Sequence, residues 1–115
     1  MSLAISYCKL LALRAHNTPG RRPEECLPQS MSPEKVYPFD KSEQRVFDIQ
    51  RTIPLHETKG GEQLSRPIAL IEIIEPVHYK KDGDIWTRGK YRVKRLISPS
   101  ERLIWGEGDW EIESR

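Results

Sequence analysis

Two cysteines, three isolated histidines and the lack of any long apolar run set the first limits on this 115-residue chain. Cys8 and Cys26 permit one bridge at most, and their spacing is not that of a zinc site. They read as reduced thiols of an intracellular protein, with their pairing left open. No stretch approaches the ~18–20 uninterrupted apolar residues of a membrane helix, so no membrane association is expected. The apolar part of Met1–Leu13 has no basic region before it, is interrupted by Lys9 and is followed by Arg14. It does not read as a signal peptide, and the cytoplasm is the expected compartment. Charge of one sign is also scarce: 19 basic against 17 acidic side chains leave +2, too little to make nucleic-acid or membrane binding the default.

Motifs of known chemistry are missing as well. There is no Gly-x-Ser-x-Gly, no His-Glu-x-x-His and no phosphate-binding glycine loop. Glu24-Glu25 sit in a proline-rich stretch where nothing would raise a carboxylate pKa for acid–base work, and neither cysteine has a neighbourhood that would activate it. His16, His56 and His78 lack the close spacing of a cupin-type metal site. They could hold a metal only by converging in space with Cys8 or Glu72. No catalytic residue, cofactor or metal is assigned.

What is present is β pattern. Residues 65–97 read as two long strands folded back on each other at Asp82-Gly83. The first arm, Ile68–Tyr79, is isoleucine-rich and is expected to be covered on both faces. The second, Ile85–Ile97, alternates, with Tyr91, Val93 and Ile97 on one parity and Arg88, Lys90, Arg92 and Lys94 on the other. Alternation beside an Asp-Gly turn is a strong short-range hairpin signal. Pro76 marks a place where ladder pairing is interrupted, and Gly89 on the second arm is a candidate bend; the register is open.

Around this hairpin the pattern is less even. Residues 3–15 fit helix and strand periods alike, and the surrounding strands favour strand. Residues 17–44 carry prolines 19, 23, 28, 33 and 38 and read as a long loop, mobile around Gly20–Pro23. One short helical turn is expected at Ser32-Pro33, and Val36, Tyr37 and Phe39 are expected to pack back onto the core. From Arg45, the residues Phe47, Ile49, Ile53 and Leu55 share strand parity and run to Pro54-Leu55. Turns follow at Thr58–Glu62, at Ser98-Pro99-Ser100 and at Gly106-Glu107-Gly108. The last turn separates strands over Arg102–Trp105 and Asp109–Glu113. The expectation is one all-β domain over 1–115, a small antiparallel meander closing into a five- to six-stranded barrel, with 17–44 as an inserted loop.

Several segments carry a resemblance: Lys9-Leu10-Leu11-Ala12-Leu13, then Arg45-Val46-Phe47-Asp48-Ile49 leading to Ile53-Pro54-Leu55, then Gly89-Lys90-Tyr91-Arg92-Val93. In these, covering about half of it, the chain resembles a family of small bacterial β-barrel domains of unknown function. The resemblance implies a barrel and a strand at the N-terminus, and no activity.

Three functional readings follow. The first is a non-enzymatic binding or accessory module, presenting a face, the loop or an edge strand to another macromolecule or to a second copy as a homodimer. The second is an RNA- or nucleotide-binding barrel that uses Trp86, Arg88, Lys90, Arg92 and Lys94, one face of a regular strand. Residues 80–95 hold seven basic and two acidic side chains. A plain solvated sheet face would have the same pattern. Residues 101–115, with five acids and two bases, would neutralise the stripe if paired beside it. The third reading is a cupin-like barrel with a metal or small molecule inside. Trp86, Trp105 and Trp110 are expected as core or rim packing, and as a partner surface if two share an exposed patch.

Overall fold

The computed structural model describes residues 5–49, 51–59 and 65–114. It is all-β, with strands β1 (Ile5–Cys8), β2 (Leu11–Arg14), β3 (Val36–Ser42), β4 (Gln44–Phe47), β5 (Ile53–Thr58), β6 (Arg66–Lys81), β7 (Asp84–Leu96), β8 (Glu101–Trp105) and β9 (Trp110–Ser114). The expected residues Leu3, Ala4, Gly60, Gly61 and Glu62 lie outside the described part.

The organising hairpin is present. Asp82 and Gly83 both take positive φ, 51° and 85°, the backbone that a two-residue turn needs to match strand twist. The turn sets Lys81 opposite Asp84, Tyr79 opposite Trp86 and Val77 opposite Arg88. The ladder then slips between Ile74 and Val77, where Glu75 adopts φ 51° and Pro76 has no N–H to give. Gly89 faces this bulge. A Cβ there would meet Phe39 Cε1 at 3.0 Å and the Glu75 and Ile74 carbonyl oxygens at 3.1 Å, so any side chain would push Phe39 and the β6 backbone back by a few tenths of an ångström. Alternation on β7 is kept: Thr87, Tyr91 and Val93 are buried, while Arg88 and Lys90 are exposed. The first arm differs from expectation. Ala69, Ile71 and Ile73 are buried, the intervening residues are half-covered, and Val77 beyond the bulge is exposed.

The main sheet runs β2-β5-β6-β7-β3 and curls into a half-barrel that does not close. Two expectations are corrected here. The sheet is not a simple meander, because β2 pairs with β5 in parallel and β3 returns from the proline-rich stretch to pair with β7. Nor is it a closed barrel, because no backbone ladder joins the two edges, β2 and β3. A side chain crosses between them instead: Lys41 Nζ donates to the Ala12 carbonyl at 2.6 Å. Leu27 N also donates to the Arg14 carbonyl at 2.8 Å, so the loop covers the free side of β2. Past short bends, β2 is preceded by β1 and β3 is followed by β4, and β1 and β4 pair in parallel as a separate two-stranded sheet. Thr87 holds the β3–β4 bend, accepting from Arg45 N at 2.9 Å and donating to the Glu43 carbonyl at 2.9 Å. Strands β8 and β9 form a third sheet, a separate two-stranded hairpin.

The core is the concave side of the half-barrel: Leu11, Leu13, Leu55, Ile71 and Val93 with Phe39, Phe47 and Tyr91. Phe39 packs edge-on against Phe47 at 5.6 Å between centroids. Other corrections follow from these pairings. The proline-rich stretch contributes the whole of β3, which tolerates Pro38 because an edge strand has a side with no partner to bond. The helical turn falls at Pro23–Glu25 and not at Ser32-Pro33. Gly20–Pro23, expected to be mobile, is tied down through Arg22, which bonds to Asp40 on β3. Ile49 leaves the strand pattern, since β4 ends at Phe47, and is exposed. The C-terminal acids do not pair beside the basic arm; among the described residues the contact is Arg95 Nη2 to Glu101 Oε2, 2.6 Å.

Candidate functional site

The convex side of β7 carries all five residues of the basic stripe. Arg88 and Lys90 are exposed; Trp86, Arg92 and Lys94 are half-buried. Their surroundings divide the stripe in two. At one end Lys94 Nζ lies 3.1 Å from Glu34 and 3.4 Å from Glu72, and these carboxylates hold its ammonium above the ordinary lysine pKa. Arg92 faces Glu72 across the β6–β7 ladder. At this end Lys94 is therefore answered by two carboxylates, while Arg92 has none within 4 Å among the described residues.

The other end is aromatic. The register places Tyr79 of β6 beside Trp86 and Asp40 of β3 beside Arg88. Lys81 Nζ sits 4.3 Å from the centre of the Trp86 ring, the Arg22 guanidinium 5.6 Å from it, and the Arg88 guanidinium 4.7 Å from the Tyr79 ring. Cation–π contacts of this kind contribute roughly 0.5–1 kcal/mol at exposed sites. Asp40, although on the convex face, is 4% exposed, because Arg22 bonds one of its oxygens and the Tyr79 hydroxyl donates to the same oxygen at 2.5 Å. Asp40 raises the pKa of the Arg22 guanidinium above its usual range. Desolvation, with the Asp40 bond, raises that of Tyr79. Among the described residues none of Lys81, Arg88 and Lys90 has a carboxylate within 4 Å. A groove of about 440 Å³ runs along this end, lined by Arg22, Tyr79, Lys81, Arg88 and Lys90, with Glu24, Asp40 and Glu75 also on its walls.

Sequence reasoning found the stripe but missed Arg22, Tyr79 and Asp40 as its partners. Tyr79 was within reach: a two-residue turn at Asp82-Gly83 fixes Tyr79 opposite Trp86. Arg22 and Asp40 carried no local signal, since they meet only when β3 returns to β7.

The other candidates stay apart. His16 Nδ1 bonds the Leu27 carbonyl, His56 Nδ1 bonds Ser65 Oγ, and His78 Nε2 donates to the Arg45 carbonyl at 3.0 Å. Desolvation lowers the His56 pKa. Among the described residues no group of three His, Cys, Asp or Glu side chains is placed to hold a metal. Cys8 and Cys26 are not joined by a disulfide. Trp105 and Trp110 pack edge-on at 5.1 Å, with Trp105 and Tyr7 exposed at the mouth of a second groove of about 400 Å³. No Trp is a core residue. Among the described residues no helix is long and apolar enough to cross a membrane.

Comparison of the chain with family models, with curated proteins and with solved structures finds no match.

Proposed function

We propose that this protein is a non-enzymatic binding module whose working surface is the Trp86–Lys90 end of the convex β7 face, and that its ligand is a single-stranded nucleic acid. One observation carries the reading. Lys81, Arg88 and Lys90 line a single groove beside two aromatic rings, with no carboxylate within salt-bridge distance among the described residues. Cations that are not neutralised internally are available to phosphates, and rings beside them offer bases a surface on which to stack. The long side chain of Lys81 can swing off the Trp86 face at little cost, whereas Asp40 holds Arg22 in place. The acids on the groove walls limit the net attraction, so the expected affinity is modest and steeply dependent on salt.

The test is direct. Binding of a fluorescent single-stranded RNA is measured by anisotropy over a range of salt concentrations, for the wild type and for Arg88→Gln/Lys90→Gln. The reading expects tenfold or greater weakening in the variant, a shallower salt slope, and an unchanged melting temperature. Equal binding by both proteins removes it.

A protein-docking reading draws on the exposed Tyr7 and Trp105 beside the second groove. A homodimer through the main sheet would draw on the seven-residue edge β3, since the loop covers the free side of β2.

A further inference from the structure

On the far side of Asp40 from the β7 groove, the gap between the two sheet edges holds a further cavity, of about 310 Å³. Its walls are mostly charged: Arg14 from β2, Arg21 and Glu25 from the covering loop, Asp40 and Lys41 from β3, and Arg45 from β4. Four cations meet two carboxylates on these walls, with Arg45 also 4.0 Å from Glu43 and Arg14 bonded to the Lys59 carbonyl, and the wall carboxylates already have partners. Glu25 is bonded by the Arg22 backbone N–H and paired with Arg21, while one oxygen of Asp40 is taken by Arg22 and Tyr79.

Two groups in this gap are under-used. Lys41 is largely buried, makes one hydrogen bond, to the Ala12 carbonyl, and has no carboxylate within 4 Å among the described residues. An ammonium has three N–H donors, so two remain. The second group is Asp40 Oδ1, buried and without a hydrogen-bond partner among the described residues. A largely buried cation with no carboxylate beside it and a buried acceptor lacking a donor are both costly, and one kind of molecule in the gap relieves both once the Asp40 carboxylate turns its shielded Oδ1 toward the cavity. It must be anionic, to answer Lys41 and the arginines, and must also carry an acidic O–H, to donate to Asp40. It must be compact, because the cavity is at the small end of the ~300–1,000 Å³ common for ligand sites.

We propose that this gap binds inorganic phosphate in its hydrogen-phosphate forms, held by Lys41, Arg14, Arg21 and Arg45 and donating its proton-bearing oxygen to Asp40. Guanidinium groups suit the geometry of phosphate oxygens. Sulfate has the same shape and charge but no proton at neutral pH, so Asp40 rejects it. This site does not depend on the nucleic-acid reading of the β7 face.

The test is calorimetric titration of the whole chain at pH 7 with sodium phosphate, with sodium sulfate, and with sodium chloride at matched ionic strength, alongside thermal melts. Phosphate should bind at least tenfold more tightly than sulfate and raise the melting temperature, and chloride should do neither. Lys41→Met should lose at least tenfold in phosphate affinity. Because that change alters a buried position, Arg21→Gln, on a side chain 41% exposed, gives a second reading and should weaken binding several-fold with the melt unchanged. Adenosine monophosphate in parallel distinguishes free from esterified phosphate: weaker binding than phosphate supports the free anion, and tighter binding overturns that assignment. The proposal falls if phosphate does no better than chloride or sulfate, or if both variants bind as the wild type does.

Discussion

The two ends of β7 have the same alternating sequence and different chemistry. At Lys94 the cation is answered by Glu34 and Glu72. At Trp86–Lys90 the cations lie over aromatic rings or beside a groove, and the one nearby buried carboxylate, Asp40, is taken by Arg22 and Tyr79. A stripe of alternate basic residues is thus neither a site nor a solvated face by itself. The neighbours that β6 and β3 bring to each position decide which it is. At the gap between the sheet edges, Lys41 gives a third outcome, a cation whose hydrogen bond among the described residues goes to a backbone carbonyl.

Changes that disturb this division should differ in size. The largest effect is expected at the bulge that offsets one end from the other. Gly89→Ala drives a methyl against Phe39 and two carbonyl oxygens and should destabilise by about 1–3 kcal/mol in urea unfolding. It should also weaken RNA binding, since Phe39 and the groove share that position.

Next is the contrast between Lys41 and Lys94. Desolvation, then repulsion from Arg45 and more weakly from Arg14 and Arg21, with Cys8 opposing, lowers the Lys41 pKa from 10.5 to about 8. The fold thus releases a proton that the unfolded chain keeps until about 10.5, so the cost of burying the Lys41 charge is full below about 8 and is lifted as pH rises to 10.5. Without added phosphate, Lys41→Met should be more stable than the wild type by about 1–3 kcal/mol at pH 7, an advantage that shrinks as pH rises through this window. Paired melts from pH 6 to 10.5 check it. Lys94→Gln should show no such trend near neutral pH, because Lys94 is shifted the other way.

Smaller effects distinguish the tyrosines. Tyr79→Phe removes a donor to buried Asp40 and should cost about 0.5–1.5 kcal/mol. Tyr91→Phe removes a fully buried hydroxyl that has no partner among the described residues, and should change the melting temperature little or raise it. A clear loss at Tyr91 would mean that its hydroxyl does have a partner.

The hairpin was legible because its determinants are local: the Asp-Gly turn, the alternation from Tyr91 to Val93, and the proline and glycine that face each other at the bulge. The C-terminal hairpin was readable for the same reason. What could not be read was set by pairings across long stretches of chain. The segment holding β3 looked like loop because of its prolines, and so Asp40 and Lys41, which sit at the two candidate sites, carried no signal. The failure of the barrel to close depends on how β2 and β3 meet, and no residue between them announces it. The basic stripe was visible in full, whereas the different partners of its two ends were not, because Arg22 and Glu34 from the loop and Glu72 and Tyr79 from β6 reach it from three separate parts of the chain.

The central claim is most directly tested by RNA anisotropy on two variants side by side, Arg88→Gln/Lys90→Gln and Lys94→Gln. The first should lose at least tenfold in affinity and the second should stay within about twofold of the wild type. Equal losses in both, or no loss in either, would contradict it.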